Sequence, residues 1–155
     1  MTIAIRSAAQ ADADALASIY LACRRAMDYA PLAHAEAAVR AWFAGVLLPS
    51  GGVWLAERNG EIAGFAACSQ QDGQFWLDQL YVAARHQGAG IGQALLEQVL
   101  AGRTPSCRLH VFQANAGARR FYEAHGFKLL SLGDGHDNEE RCPDALYQWR
   151  PDTKE

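Results

Sequence analysis

Leu80–Tyr81–Val82–Ala83–Ala84–Arg85–His86–Gln87–Gly88–Ala89–Gly90–Ile91–Gly92–Gln93–Ala94–Leu95–Leu96 reads as a strand that passes through a tight glycine loop into an amphipathic helix. Gly88, Gly90 and Gly92 free the backbone of side chains where it turns, so several N–H groups can converge on one point. The helix that follows aims its positive end at the same point, which suits a phosphate. A nucleoside-triphosphate loop needs Lys–Ser/Thr after its last glycine, and here Gln93–Ala94 follows Gly92. A dinucleotide fold needs an acidic residue about 20 positions further on. That distance holds Arg108–Leu109–His110–Val111–Phe112, without a carboxylate. The pyrophosphate of an acyl-CoA remains, beside a glycine-rich connection that binds nothing.

A second motif decides between these. Gln87–Gly88–Ala89–Gly90–Ile91–Gly92 fits a Q/R-x-x-G-x-G/A signature. Downstream, Asn115–Ala116–Gly117–Ala118–Arg119–Arg120–Phe121–Tyr122–Glu123–Ala124–His125–Gly126–Phe127 fits N-x-x-A-x-x-F-Y-x-x-x-G-F. Together, in this order and with a strand between them, they resemble the GCN5-related N-acetyltransferase (GNAT) superfamily. The resemblance extends over the whole chain, as a single domain at 1–155.

Composition agrees with one ordinary α/β domain. Half of the 155 residues are hydrophobic and a fifth charged, enough for a core without staples. A net charge of −3 with five histidines argues against a nucleic-acid surface. No run of about 18 apolar residues is present, so no membrane span is expected. Cys23, Cys68, Cys107 and Cys142 are widely spaced and form no zinc or disulfide pattern. Reduced thiols, a cytoplasmic location and no metal are the expectation.

The coarse reading begins with a strand at 3–6. A helix capped by Asp12 or Asp14 follows, its apolar face using Leu16, Ile19, Tyr20, Cys23 and Met27, before Pro31 interrupts. A second helix runs from about His34 to Phe43. Strands at 53–58 and 62–69 form a hairpin across Asn59–Gly60. A strand at 74–82 leads through the glycine loop to a helix ending near Ala101. A strand at 107–112, a helix at 116–125 and strands at 127–132 and 145–149 complete the chain. The order β-α-α-β-β-β-α-β-α-β-β is that of a GNAT fold with a splayed central sheet. Trp42, Trp54, Trp76 and Trp149 are expected in the core or the cleft lining.

The resemblance implies transfer of an acetyl group from acetyl-CoA to a primary amine. It places the pantetheine arm beside Leu80–Tyr81–Val82 and the pyrophosphate on the N–H groups of Gln87, Gly88, Ala89, Gly90, Ile91, Gly92 and Gln93. Tyr122 is implied as the acid that protonates the CoA thiolate, and Asn115 as a holder of the cofactor arm or a helix cap. Asp78 is the candidate base, two residues before Leu80 and on its face if the strand keeps a period of two. Water is the alternative proton acceptor.

Acceptor selection is expected from the segment between the first two helices, with Tyr29 and His34, and from the connection 131–144, with Glu139 and Glu140. Five carboxylates against Arg141 alone give that connection a field suited to an amine. A small-molecule or peptide amine is the expected partner, with a homodimer through the C-terminal strand as a further possibility. The alternative from another class is an acyl-CoA-binding sensor or regulatory module without turnover.

Overall fold

The computed structural model describes residues 2–101 and 105–151; the remainder of the expected 1–155 domain lies outside the described residues. Its elements follow the order expected from the sequence: β1 (Ile3–Ser7), α1 (Ala13–Arg25), α2 (Glu36–Trp42), β2 (Val53–Arg58), β3 (Glu61–Gln71), β4 (Gln74–Val82), α3 (Ile91–Leu100), β5 (Cys107–Phe112), α4 (Ala116–Ala124), β6 (Lys128–Gly133) and β7 (Asp144–Trp149). α2 runs on through a π-helical turn, Phe43–Leu47, into Leu48–Ser50, so the second helix is longer than the sequence suggests. Gly51 stops it with φ 78°, a conformation that glycine adopts without strain.

The strands form one mixed sheet in the order β1-β2-β3-β4-β5-β7-β6. Asn59 (φ 54°) and Gly60 (φ 82°) close the first hairpin, and Asp72 (φ 53°) and Gly73 (φ 77°) close the second; both pairs suit a type I′ turn. β4 and β5 run parallel but pair only at Phe75 with Cys107 and Trp76 with Arg108. Beyond that point β5 is paired along its length with β7, while the edge of β4 from Leu77 onward is open. This is the splay that the resemblance implies.

Two points correct the sequence reading. β7 is flanked by β5 and β6, so the C-terminal strand has no free edge through which a dimer could form; β6 is the edge strand. Trp42 is exposed rather than core.

The sheet separates two apolar clusters. One packs α3 and α4 on the sheet through Leu77, Ile91, Leu95, Leu96, Tyr122 and Phe127; the other packs α1 and α2 through Leu16, Leu21, Phe43, Leu55 and Phe65. Gly64 permits the close approach in the first cluster, since a Cβ there would lie 2.6 Å from Tyr81 O and 3.2 Å from Ile91 Cγ2. Burial pushes the Cys68 and Cys107 thiols up from 9.0 to about 12. Above pH 9 the unfolded chain releases these protons while the folded chain keeps them, so stability falls as pH rises toward 12. The slope is at most about 1.4 kcal/mol per pH unit for each thiol, less for two that share one environment. Urea titration at pH 8 and pH 10 is expected to show a lower midpoint at the higher pH, with the difference reduced in Cys107→Ala.

Candidate active site

The glycine loop stands on a fixed base. His86 is buried, and its ring nitrogens meet Glu61 Oε1 at 3.0 Å and Arg58 Nη1 at 3.3 Å on the β2–β3 hairpin. Arg85 adds a bidentate pair to Glu61 at 3.0 and 3.2 Å. Gly88 (φ 81°) and Gly90 (φ 87°) then turn the chain through left-handed backbone into α3. Ala94 N donates to Gly90 O at 3.0 Å and closes the first turn. The N–H groups of Ile91, Gly92 and Gln93 therefore precede any intrahelical acceptor. Gly88, Ala89 and Gly90 bring three further backbone N–H groups into the loop just before them. Gln87 differs from the expectation: its N–H already donates to Ala84 O at 3.3 Å, and its Nε2 donates to Val82 O at 3.2 Å. Its role is to tie the strand end to the loop.

The open edge of β4 faces a continuous cleft of about 1670 Å³ lined by Leu77–Val82, Gly88, Gly90–Gln93 and Leu109–Phe112. Pockets for one small ligand run to roughly 1,000 Å³, so the space suits a cofactor and an acceptor together. Tyr81 contributes backbone to this edge, because its ring packs on Tyr20 and Phe65 in the other cluster. Val82 O also accepts from Cys23 Sγ at 3.4 Å.

Tyr122 sits where the second motif meets the first. Asn115 caps α4 through Oδ1, which accepts from Ala118 N at 3.1 Å. Gly126 (φ 94°) reverses the chain after α4, and Phe127 returns to pack edge-on against Tyr122 at 5.5 Å. A Cβ at Gly92 would lie 3.5 Å from Phe121 Cζ, so the two motifs touch in space as well as in pattern. The Tyr122 ring is buried at the cleft wall, and burial raises its phenol well above the usual 10.0. It stays protonated through the neutral and mildly alkaline range.

Asp78 lies in a β-bulge. Leu77 pairs with Cys68 and Gln79 with Ala67, leaving Asp78 as the extra residue. Counting by twos therefore fails here: Leu77 and Leu80 share one cluster across the bulge, and Asp78 owes its place to the bulge. The carboxyl reaches solvent at the cleft, with its pKa raised by burial against a hydrogen bond from Ser69. Gln79 Oε1, beside it in the cleft lining, is buried without a hydrogen-bond partner among the described residues.

At the far end the two expected acceptor segments meet each other. His34 Nε2 contacts Glu139 at 3.1 and 3.2 Å, and both side chains are exposed. Glu140 turns inward, 3.6 Å from Arg24 Nη1. Tyr29 faces the end of β5, its ring 6.0 Å from Phe112. Asn138 braces the loop, with Nδ2 donating to Cys142 O at 2.8 Å and Oδ1 accepting from Cys142 N at 3.1 Å. The sequence reading missed Arg24. The most buried face of α1 is Ala13, Leu16, Ala17, Leu21 and Arg24, with Ile19, Tyr20 and Cys23 only half-buried. An arginine three residues after Leu21 on an apolar stripe was the available signal.

Residues 13–127 match the model of the Acetyltransferase (GNAT) family. The chain belongs to this family. GNAT relatives in sequence include the peptidyl-lysine N-acetyltransferase YiaC of Escherichia coli, 33% identical over 96 residues, which is 62% of each chain. The match thus spans less than two thirds of that relative's length. GNAT relatives in fold include apo YjaB of Escherichia coli, with a TM-score of 0.76 at 23% identity over 96% of this chain and 98% of that one. YncA of Salmonella typhimurium, solved with its cofactor acetyl-CoA, gives 0.76 at 21% identity over 100% and 97%. These likenesses establish the GNAT fold. Among the described residues, no helix is long and apolar enough to cross a membrane.

Proposed function

We propose that the protein is an N-acetyltransferase that moves an acetyl group from acetyl-CoA to a primary amine by direct transfer in a ternary complex. The observation that supports this most is the opening between β4 and β5, with the N-terminus of α3 at one end and the buried phenol of Tyr122 in its wall. The residues fit the cofactor. The donors from Gly88 to Gln93 suit a pyrophosphate, and the unpaired edge of β4 at Leu80 and Tyr81 suits an amide-bearing arm. Acetyl-CoA, when bound, supplies a thioester carbonyl open to attack by a neutral amine. Asp78, or water in the cleft, takes the proton that the amine must lose. Tyr122 would give its phenolic proton to the sulfur that leaves when the amide bond replaces the thioester bond. The acceptor enters from the side of Tyr29, His34 and Glu139, where the carboxylates favour a cation. The likeness to a peptidyl-lysine N-acetyltransferase supports an amine acceptor. Reduced thiols in the cytoplasm complete the reading.

Calorimetric titration with acetyl-CoA, followed by thiol release against spermidine, a lysine peptide and a peptide with a free N-terminus, tests the proposal. Micromolar binding with CoA release for one amine class is expected. Binding without turnover on the panel would favour a sensor module, and no binding would overturn the cofactor site.

Asp78→Asn is expected to lower kcat/KM about 10²-fold and to remove the acidic limb of its pH profile. In the wild type the basic form of Asp78 is lost as pH falls through a pKa held above 3.8, so activity falls with it. A limb that persists in Asp78→Asn assigns the proton to water.

A further inference from the structure

The side chain of Arg24 is only 2% exposed, yet it lines the cleft. Its guanidinium joins four parts of the chain. Nη1 donates to Tyr20 Oη at 3.2 Å on α1 and lies 3.6 Å from Glu140 Oε2 in the β6–β7 loop. Nη2 donates to Ala30 O at 2.9 Å and reaches Pro31 O at 3.5 Å in the α1–α2 segment. The group also lies 5.5 Å from the Phe112 ring, at the splayed end of β5. Nε is buried with no hydrogen-bond partner among the described residues. Burying a guanidinium costs desolvation that an apolar plug of similar volume would avoid. An anchor serving stability alone would also leave no donor unsatisfied. The planar fork, by contrast, can hold two loops at once in a fixed relation.

From this we infer that Arg24 is the positioning residue of the acceptor half-site: it locks the α1–α2 segment and the β6–β7 loop into one arrangement and so sets acceptor affinity. The inference rests on the acetyltransferase reading for its kinetic consequence and on geometry alone for the lock. Glu140 then acts through Arg24, while Glu139, beside His34, stays exposed at the cleft with Asp134 and Asp137 to meet an incoming cation.

The test compares wild type with Arg24→Met, Arg24→Lys and Glu140→Gln by amide hydrogen exchange and by steady-state kinetics. The acceptor is whichever of spermidine, the lysine peptide or the free N-terminal peptide the wild type acetylates fastest. Exchange in 26–35 and 133–143 is expected to quicken at least tenfold in Arg24→Met, and in 133–143 alone in Glu140→Gln. The acceptor KM is expected to rise about tenfold in both, with kcat within threefold and the acetyl-CoA Kd within twofold. Arg24→Lys should keep the charge and fail to restore KM, because an ammonium cannot hold both loops. Unchanged exchange in both segments, or full rescue by lysine, overturns the inference. Should Arg24→Met not fold, Glu140→Gln carries the comparison. If the wild type acetylates nothing, the acetyltransferase reading fails while the exchange data still decide the lock.

Discussion

Tyr122→Phe is expected to lower kcat by about 10²–10⁴-fold, the range for loss of a positioned proton donor. The substitution removes one oxygen and leaves the ring, which packs between Phe121 and Phe127, so the core and the Kd for acetyl-CoA should hardly change. Burial raises the Tyr122 pKa, so the phenol holds its proton in the resting site across the neutral range. On the proposed mechanism that proton goes to the sulfur as negative charge builds there, and Phe at this position has none to give. Single-turnover kinetics with acetyl-CoA in excess, alongside thermal denaturation, separate chemistry from folding. A kcat within threefold of wild type at unchanged stability would reduce Tyr122 to a packing residue.

What the sequence made legible is what local chemistry fixes. Asn59–Gly60 announces its hairpin because few other residues tolerate left-handed backbone at both central positions. Asp72–Gly73 carries the same signal and closes β3 to β4 in the same way. Gly126 and Phe127 explain the end of the second motif: the glycine reverses the chain and the phenylalanine returns to Tyr122. The elements that depend on distant partners were hidden. The bulge at Asp78 arises from pairing with β3, and no glycine or proline between Gln74 and Val82 marks it in the sequence. The interior place of β7 follows from β5 pairing with it rather than with β6, the strand that comes first along the chain. Arg24 was hidden for a third reason. Its partners, Ala30, Phe112 and Glu140, come from three separate segments, and a charged residue next to Arg25 reads by default as a solvated helix end.

Gly90→Val is expected to raise the Kd for acetyl-CoA by about 10–100-fold, the cost of disordering two or three charge-assisted donors. Gly90 is the first residue before α3 and has φ 87° and ψ 10°. A Cβ built there meets nothing within 4 Å, so the penalty is conformational and not a clash. Left-handed backbone costs an ordinary residue roughly 1–2 kcal/mol, and a β-branched one more. The loop can shed that cost by rotating its peptides, but only by turning the N–H groups of Ile91 and Gly92 away from their common point. Gly60→Val supplies the matched control. Gly60 has φ 82°, also meets nothing within 4 Å, and lies in a hairpin turn outside the cleft lining. Both variants should lose similar stability, by roughly 2–4 °C in Tm for each kcal/mol of strain. Only Gly90→Val should lose cofactor affinity. Equal affinity in the two variants would mean that the convergence of donors at α3 does not hold the pyrophosphate, and the binding energy would have to come from the edge of β4 instead.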